Sequence, residues 1–339
     1  MSITILAIES SCDDTSAAIV RDAYMLSNLI ANQDVHKSYG GVVPELASRA
    51  HQANIIPVVD QAIRQAGISA DDISAVAFTR GPGLLGSLLV GSSFAKGFAL
   101  ARTLPLIEVN HLQAHVMSHW IKMPDRDNNV PGFPFLCLLV SGGHTQLLVV
   151  EDYLVMKEIG STIDDAAGEA FDKCAKVMGL PCPGGPFIDR YASEGSAHAF
   201  RFTKPRIPGL NYSFSGLKTN FLYFLRDRIK EDKDFISNNI QDLSASLQYT
   251  IIEILMEKLV KASGITGIKN IGIAGGVAAN SGLRNRLLKE GKKRGWSVFI
   301  PEFRFTTDNA AMIAITAYYK YLAKDFTDQS VTPLARYSI

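Results

Sequence analysis

The chain contains 339 residues, of which 47% are hydrophobic and 20% charged, and its formal net charge is +1 at pH 7. This composition is typical of a soluble globular protein and excludes disordered, collagenous and coiled-coil chains. At roughly 150 residues per domain, the length predicts two domains.

The sequence carries no basic leader and no run that approaches the ~18 apolar residues needed to span a bilayer, so a cytoplasmic protein with no membrane contact is expected. Four cysteines, none in a C-x-x-C pair, are Cys12, Cys137, Cys174 and Cys182. We therefore expect free thiols rather than a disulfide framework or a thiolate zinc site.

Short β-branched segments alternate along the chain with longer segments of helical periodicity, which predicts an α/β fold. The predicted strands include residues 3–8, 75–78, 135–140 and 271–274. The predicted helices cover residues 45–65, 85–102, 163–178, 238–261, 281–294 and 308–322.

One arrangement occurs twice. Residues 6–20 and 136–150 each consist of two apolar strands around a polar tip, at residues 9–15 and 141–145. Small and hydroxyl residues at a tip leave backbone N–H groups accessible to a phosphate. A single tip is more simply read as an ordinary turn, but the repetition favours two lobes with a nucleotide cleft between them.

Two stretches are strongly basic. Residues 201–230 hold seven Lys/Arg and one acid, and residues 284–294 hold six and one. They are candidate contacts to a nucleic-acid backbone, although solvated helix faces have the same composition. Aromatic residues that could stack on bases, or belong to the core, accompany the first stretch: Tyr212, Phe214, Phe221, Tyr223 and Phe224.

His111 and His115 are spaced to share one face of a helix, which suits a divalent metal. Leu112 stands where an H-E-x-x-H metalloprotease would have its glutamate. Asp308 is the leading third ligand, and two histidines with one carboxylate suit zinc or non-haem iron. Alternatively, the histidines, with His119, line an exposed stripe and Asp308 is a helix N-cap.

Three glycine-rich turns are candidate nucleotide-binding segments. Residues 81–86 fit G-x-G-x-x-G, although they follow a hairpin and a long helix instead of opening the fold. Residues 271–280 run from a strand through Gly-Gly into a helix, where a nucleoside can approach the backbone. Residues 183–186 form a turn one helical turn before Asp189. Each is equally consistent with plain turns and close packing.

From residue 7 to residue 309 the chain resembles the TsaD family, the tRNA N6-adenosine threonylcarbamoyltransferases. The segments that carry the resemblance are AIESSCDDT (7–15), YGGVVPELASR (39–49), GPGLLG (81–86), HxxxH (111–115), LVSGGHT (139–145), DAAGEAFDK (165–173), PGGP (183–186), FSGLK (214–218), AGGVAAN (274–280) and TDN (307–309).

The resemblance implies an actin-like, sugar-kinase-like (ASKHA) α/β fold of two ribonuclease-H-type lobes with a nucleotide cleft between them. We expect lobe I to span residues 1–110, joined by residues 308–339. Lobe II would span residues 111–307, with a basic, aromatic-rich insert near residues 200–235.

The implied reaction is metal-dependent transfer of threonylcarbamoyl from threonylcarbamoyl-AMP to N6 of the adenosine 3′-adjacent to the anticodon in tRNAs reading ANN codons, with release of AMP. The competing functions are an actin-like ATPase or small-molecule kinase, a metallopeptidase, and a tRNA-binding scaffold. The implied partners are tRNA, a TsaB-like paralogue and a TsaE-like ATPase, with a TsaC-like synthase supplying the adenylate.

By the same resemblance, His111, His115 and Asp308 would bind one divalent metal per subunit, Fe2+ or Zn2+. Asp13, on the first hairpin tip, is a candidate to orient the attacking amine or accept its proton. The cleft would also accept ATP with Mg2+. The residues expected to line the adenylate site are Leu139, Val140, Ser141, Gly142, Gly143, Asp172, Gly185, Asp189 and Asn280.

Overall fold

A computed structural model describes residues 2–33, 36 and 41–339, so Tyr39 and Gly40 of the 39–49 motif lie outside the described residues. The chain divides into two compact units. The first comprises Met1–Pro131, Glu151–Met156 and Pro301–Ile339, and the second comprises Gly132–Val150 and Lys157–Ile300.

The first unit contains a five-stranded sheet. Its strands are β1 (Thr4–Glu9), β2 (Thr15–Arg21), β3 (Tyr24–Ala31), β4 (Ala75–Gly81) and β5 (Leu106–Asn110), in the order β3-β2-β1-β4-β5. β1 pairs antiparallel with β2 and parallel with β4, which confirms the first predicted hairpin. All six residues of β1 are buried, as expected of a central strand covered on both faces.

The α-helices in the described part of this unit are α1 (Pro44–Gln65), α2 (Leu85–Arg102), α3 (His111–Met117) and α10 (Ala310–Leu322). Residues 111–131 belong here rather than to the second lobe as the sequence suggests, because α3 packs against α10. Residues 151–156 join the same unit, and Tyr153 stacks on Tyr319 with ring centroids 3.7 Å apart.

The second unit repeats the strand order of the first. Its strands are β6 (Phe135–Val140), β7 (Thr145–Asp152), β8 (Val155–Ser161), β9 (Asn270–Ala274) and β10 (Ser297–Phe299), in the order β10-β9-β6-β7-β8. β6 pairs antiparallel with β7 and parallel with β9, as β1 does with β2 and β4. The second predicted hairpin is therefore confirmed, and the duplication extends to the whole sheet.

The helices of this unit are α4 (Ala167–Val177), α5 (Gly185–Ala192), α6 (Ser215–Glu231), α7 (Phe235–Asn238), α8 (Ile240–Thr266) and α9 (Ser281–Arg294). α4 begins four residues later than predicted, because residues 162–165 form a turn in which Thr162 Oγ1 donates to the Asp165 carbonyl at 2.7 Å. In the described part of the chain, no helix combines the length and apolarity needed to cross a membrane.

Candidate metal centre and nucleotide-binding turns

Helix α3 carries the two histidines of the predicted metal site. Asn110 caps the helix, since its Oδ1 accepts hydrogen bonds from the amides of Leu112 and Gln113 at 2.9 and 3.1 Å. The imidazoles of His111 and His115 are buried and meet edge to face, with ring centroids 4.7 Å apart. The exposed-stripe interpretation of these two histidines is therefore wrong.

Asp308 lies opposite both imidazoles. Its Oδ1 is 3.4 Å from Nε2 of His111 and 3.2 Å from Nε2 of His115. One potential ligand atom from each residue lies within 4.8 Å of the others. This arrangement fits one ion held by two imidazoles and a carboxylate.

The N-cap interpretation of Asp308 is wrong, because the next residue performs that role. Asn309 Oδ1 accepts a hydrogen bond from the Met312 amide at 3.1 Å. The amides of Ala310 and Ala311 donate instead to Ser16 Oγ and Asn28 Oδ1. The start of α10 is thus satisfied without the Asp308 carboxylate, which remains available to the histidines.

A second, deeply buried carboxylate supports His111. Glu9 is 1% exposed, and its Oε2 lies 3.1 Å from Nδ1 of His111. Thr79 Oγ1 and the Ser11 amide also donate to Glu9. A carboxylate on Nδ1 leaves Nε2, the atom that faces Asp308, as the free ligand atom.

The electrostatics of this cluster favour a cation. Burial opposes the effect, but Asp308 and Glu9 together raise the pKa of His111 to about 10. Likewise, the two imidazoles lower the pKa of Asp308 against the effect of burial. Two carboxylates around two imidazoles therefore place negative potential where an ion would sit.

The first hairpin tip carries Asp13 and Asp14. His51 holds the tip in place, since its Nε2 lies 3.0 Å from the Cys12 carbonyl and its Nδ1 lies 2.7 Å from Thr15 Oγ1. Burial, followed by the charges of Asp13 and Asp308, raises the pKa of Asp14 to about 7. Asp14 is thus a half-buried carboxyl suited to proton exchange near neutral pH, which the sequence analysis did not single out.

In the second unit, the tip at residues 141–143 follows β6. Gly142 and Gly143 are exposed, and within the described residues neither amide has a hydrogen-bond acceptor. The Gly168 amide donates to the Ser141 carbonyl at 3.2 Å, so the start of α4 supports the tip. Gly275, directly after β9, packs against the Val140 carbonyl, which brings the two glycine-rich turns together.

The remaining predicted adenylate residues join this group through hydrogen bonds. Asp172 Oδ1 accepts from the amides of Gly184 and Gly185 at 2.7 and 3.3 Å, which fixes the 183–186 turn. The carboxylate of Asp189 accepts from the amide and the hydroxyl of Ser281, at the first turn of α9. The side chains of Asp172 and Asp189 therefore shape the turns through hydrogen bonds to backbone amides.

Three of the predicted adenylate residues have buried side chains. Leu139 and Val140 are fully buried, so only their backbone can meet a ligand. Asn280 caps α9 through the Leu283 amide and donates to Gln248 Oε1 at 2.6 Å. Gln248 also lines a mainly apolar cavity of about 290 Å³ between α8 and α9.

The G-x-G-x-x-G segment does not form a dinucleotide site. A Cβ on Gly81 would lie 1.9 Å from the Leu334 carbonyl oxygen, and one on Gly83 would lie 2.5 Å from the Ser11 carbonyl oxygen. These glycines allow the backbone of residues 332–338 and of the first hairpin tip to approach closely. The amides of Gly83 and Leu84 donate to the carbonyls of Ala335 and Ser11, so they are not available to a pyrophosphate.

The aromatic residues of the first basic stretch mostly belong to the core. Tyr212, Phe214 and Phe221 are fully buried, and Phe224 is half-buried. Tyr223 is 51% exposed, but the Arg226 guanidinium lies 4.8 Å from its ring centroid. The prediction that these side chains stack on bases is wrong for Tyr212, Phe214 and Phe221, because all three belong to the hydrophobic core of the second unit.

Sequence reasoning missed Glu9, Asp14 and Gly168. Glu9 was visible only as a charged residue at the end of an apolar strand and within the 7–15 motif. Gly168 was visible only as part of the 165–173 motif. Their roles depend on contacts that are distant in sequence: 102 residues separate Glu9 from His111.

Comparisons with known proteins agree with the resemblance described above. The model of the TsaD family, described as tRNA N6-adenosine threonylcarbamoyltransferase, matches residues 24–315. Curated proteins of that name from Phocaeicola vulgatus and Porphyromonas gingivalis are 62% and 60% identical to this chain, over 96% and 99% of both proteins' lengths. These comparisons favour neither a kinase nor a metallopeptidase.

Solved structures support the fold. HypF from T. kodakarensis has a TM-score of 0.61 at 12% identity, over 97% of this chain and 49% of that one. Component A of (R)-2-hydroxyglutaryl-CoA dehydratase from Acidaminococcus fermentans has a TM-score of 0.51 at 15% identity, over 95% and 99%. At such identities the likeness concerns the fold alone, and it agrees with the expected actin-like architecture.

Proposed function

Because this chain belongs to the tRNA N6-adenosine threonylcarbamoyltransferase family, we propose that it transfers threonylcarbamoyl from threonylcarbamoyl-AMP to N6 of the adenosine 3′-adjacent to the anticodon in tRNAs reading ANN codons, releasing AMP. The observation that carries the proposal is the match to curated family members over nearly the whole chain. The reaction would take place in the cytoplasm, where tRNA is available.

The proposed metal ligands are His111, His115 and Asp308, with Glu9 orienting His111. The convergence of both Nε2 atoms on Asp308 Oδ1 supports this set. A divalent ion, Fe2+ or Zn2+, would supply Lewis-acid polarisation of an oxygen ligand when bound. The protein's own contribution is a fixed tautomer and a buried, preorganised ligand set.

The proposed adenylate site is the group of turns in the second unit. Exposed amides at Gly142 and Gly143 would donate hydrogen bonds to the phosphate of the departing AMP and stabilise its charge. Gly185 and Gly276, which have open space on the side where a Cβ would stand, would leave room for the nucleoside against bare backbone. The cavity beside Gln248 has the size and apolar lining that a nucleoside base requires.

The exocyclic amine of adenine is a weak nucleophile, whereas the carbamoyl adenylate is a mixed anhydride with a good leaving group. The protein must therefore position the amine and remove its proton. We assign Asp13 to orient the amine or accept the proton. Replacement by Asn should abolish transfer while adenylate binding persists; loss of adenylate binding would instead make Asp13 a ligand contact.

The test is reconstitution of the full chain with TsaB-like and TsaE-like partners, threonylcarbamoyl-AMP and unmodified tRNA, scored by mass spectrometry of nucleosides. His111→Ala tests the metal centre, and His198→Ala, an exposed histidine of the second unit, is the matched control. Modified adenosine should form with wild type and His198→Ala only. Absence of product from metal-loaded wild type would contradict the proposed function.

A second readout concerns the metal itself. Elemental analysis of purified protein should give about one Fe or Zn per chain, and the content should fall sharply in Asp308→Ala. His119→Gln lies close in sequence to the two ligands but outside the cluster, so it should retain the metal. Equal metal content in wild type, Asp308→Ala and His119→Gln would contradict the assignment of Asp308 as a metal ligand.

A further inference from the structure

The two basic stretches differ in how many of their charges are already neutralised. On α6, Arg226 and Lys230 pair with Asp227, and Arg228 pairs with Glu231. On α9, Arg286 and Arg294 both pair with Glu290, and Arg286 also pairs with Glu253. These four arginines and Lys230 are therefore already ion-paired, as the alternative interpretation of the sequence expects, whereas Lys289, Lys292 and Lys293 on α9 are exposed and have no ion pair within residues 41–339.

In the loop before α6, at residues 201–206, the basic side chains are not ion-paired within the described part of the chain. Arg201, Lys204 and Arg206 are all exposed, and across residues 41–339 none of the three has an ion pair or a hydrogen bond. Residues 201–206 contain no acidic side chain. Three cations within six residues thus keep their full charge for an external anion.

This loop lacks regular secondary structure, yet both of its ends are fixed. Phe202 is buried, and its ring centroid lies 5.0 Å from that of Phe221. The Thr203 amide donates to Asn220 Oδ1 at 3.1 Å. Lys258 Nζ donates to the carbonyls of Ile207 and Gly209 at 2.5 and 3.1 Å. The cations are consequently presented on an anchored backbone, which lowers the entropy lost when they bind.

A groove runs beside the loop. It has a volume of about 760 Å³ and lies between residues 202–207 and α8. Lys204, Arg206 and Lys258 contribute cations to its lining, and Glu257 contributes the one acid. The groove therefore carries a net positive charge.

We infer that the loop carrying Arg201, Lys204 and Arg206 is a surface that contacts the phosphate backbone of tRNA. The inference rests on the proposed function and specifies one basic segment that meets the substrate. Spaced, unpaired cations on a fixed backbone suit successive phosphates. Burial of the neighbouring aromatic rings means that recognition here depends on charge rather than base stacking.

The test compares two triple variants with equal loss of charge. The loop variant is Arg201→Gln with Lys204→Gln and Arg206→Gln. The helix control is Arg226→Gln with Arg228→Gln and Lys230→Gln, which removes three cations that are already ion-paired. Unmodified tRNA is titrated into each full-length protein, together with the partners that support modification, from 50 to 300 mM KCl.

For the loop variant we expect the affinity for tRNA at low salt to fall about tenfold or more relative to wild type. The slope of log affinity against log salt concentration should also be smaller in magnitude by about 2 to 3. The helix control should keep nearly the wild-type slope. An unchanged slope in the loop variant, or an equal reduction in both variants, would overturn the inference. Circular dichroism and the melting temperature establish that each variant is folded.

Failure of this inference can be told apart from failure of the proposed function. If wild type modifies tRNA and the loop variant binds it with an unchanged slope, the loop is not a contact but the transferase assignment stands. If wild type neither binds nor modifies tRNA, the function itself is wrong and the loop inference falls with it.

Discussion

Oε2 of Glu9 lies 3.1 Å from Nδ1 of His111, and the carboxylate is almost completely buried. A buried carboxylate on the far nitrogen of a histidine fixes the ring and its tautomer, so that the other nitrogen faces outward as a metal ligand. Glu9 stands at the end of β1 and His111 at the start of α3, so this contact joins the central strand of the first sheet to the proposed metal site.

Glu9→Gln should therefore weaken metal binding without unfolding the protein. The amide keeps the size of the side chain but loses its charge, and outer-shell partners of this kind are worth about 10- to 100-fold in metal affinity. Competition of Zn2+ with a chelator measures the effect. Glu45→Gln, at an exposed pair on α1, is the control and should leave the affinity unchanged. Equal affinity in both variants would contradict the positioning role.

Asp14→Asn should stabilise the metal-free protein at high pH. Burial and three neighbouring carboxylates, chiefly Asp13 and Asp308, raise the pKa of Asp14 from 3.8 to about 7, so folding penalises its charged form above about pH 4. The loss in free energy of unfolding reaches its full size above pH 7. Because Asp14 is partly exposed to solvent, we expect this loss to be about 1 to 2 kcal/mol.

Urea denaturation at pH 4 and pH 8 checks this sign. The variant should be more stable than wild type at pH 8 and nearly equal to it at pH 4. Zn2+ should shrink the difference at pH 8, because a cation beside Asp308 offsets part of the repulsion. A variant that is destabilised equally at both pH values would show that Asp14 acts through hydrogen bonding instead.

Asp164→Asn should show the opposite dependence. Burial opposes the effect, but donors at Ser213, Phe214 and Ser215 lower the pKa of the Asp164 carboxyl. A lowered pKa contributes stability above the ordinary value of about 4, which is lost as pH falls through the folded-state pKa. The melting temperature of the variant should be below that of wild type at pH 7, with the gap closing toward pH 3. A constant gap would contradict the charge argument.

Gly168→Ala should weaken binding of the adenylate. A Cβ at this position would lie 2.5 Å from the Ser141 carbonyl oxygen and 2.9 Å from the Gly142 amide nitrogen, so the tip must move. Calorimetry with AMP should show about tenfold or greater loss if the tip positions two phosphate-binding amides. Gly264→Ala, in α8 with open space around it, is the matched control. Unchanged AMP binding in Gly168→Ala would place the phosphate elsewhere.

Patterns of local sequence were sufficient for much of the fold. Both hairpins followed from apolar segments around polar tips, and α2 and α9 have the predicted bounds. β3 and β8 were not predicted, because their exposed and buried residues do not alternate regularly. α6 was read as a basic stretch, because its charges obscure the buried positions Leu217, Phe221 and Leu225.

The site was less accessible to local reasoning. The spacing of His111 and His115 predicts a shared helix face, but nothing in the local sequence shows whether the Asp308 carboxylate faces the histidines or caps a helix. That distinction depends on Asn309 taking the cap, which only the structure shows. Likewise, the sequence gives equal weight to all Lys and Arg residues near α6, whereas the ion pairs determine which of them remain free.

The division of the chain also bears on its synthesis. The second unit is complete once residue 300 has been made, whereas the first unit still lacks α10, which packs on β1 and β2. Domains tend to fold as units while the ribosome is still translating. Nearly 200 residues separate His115 from Asp308, so a nascent chain cannot assemble the complete set of proposed metal ligands until residue 308 has emerged.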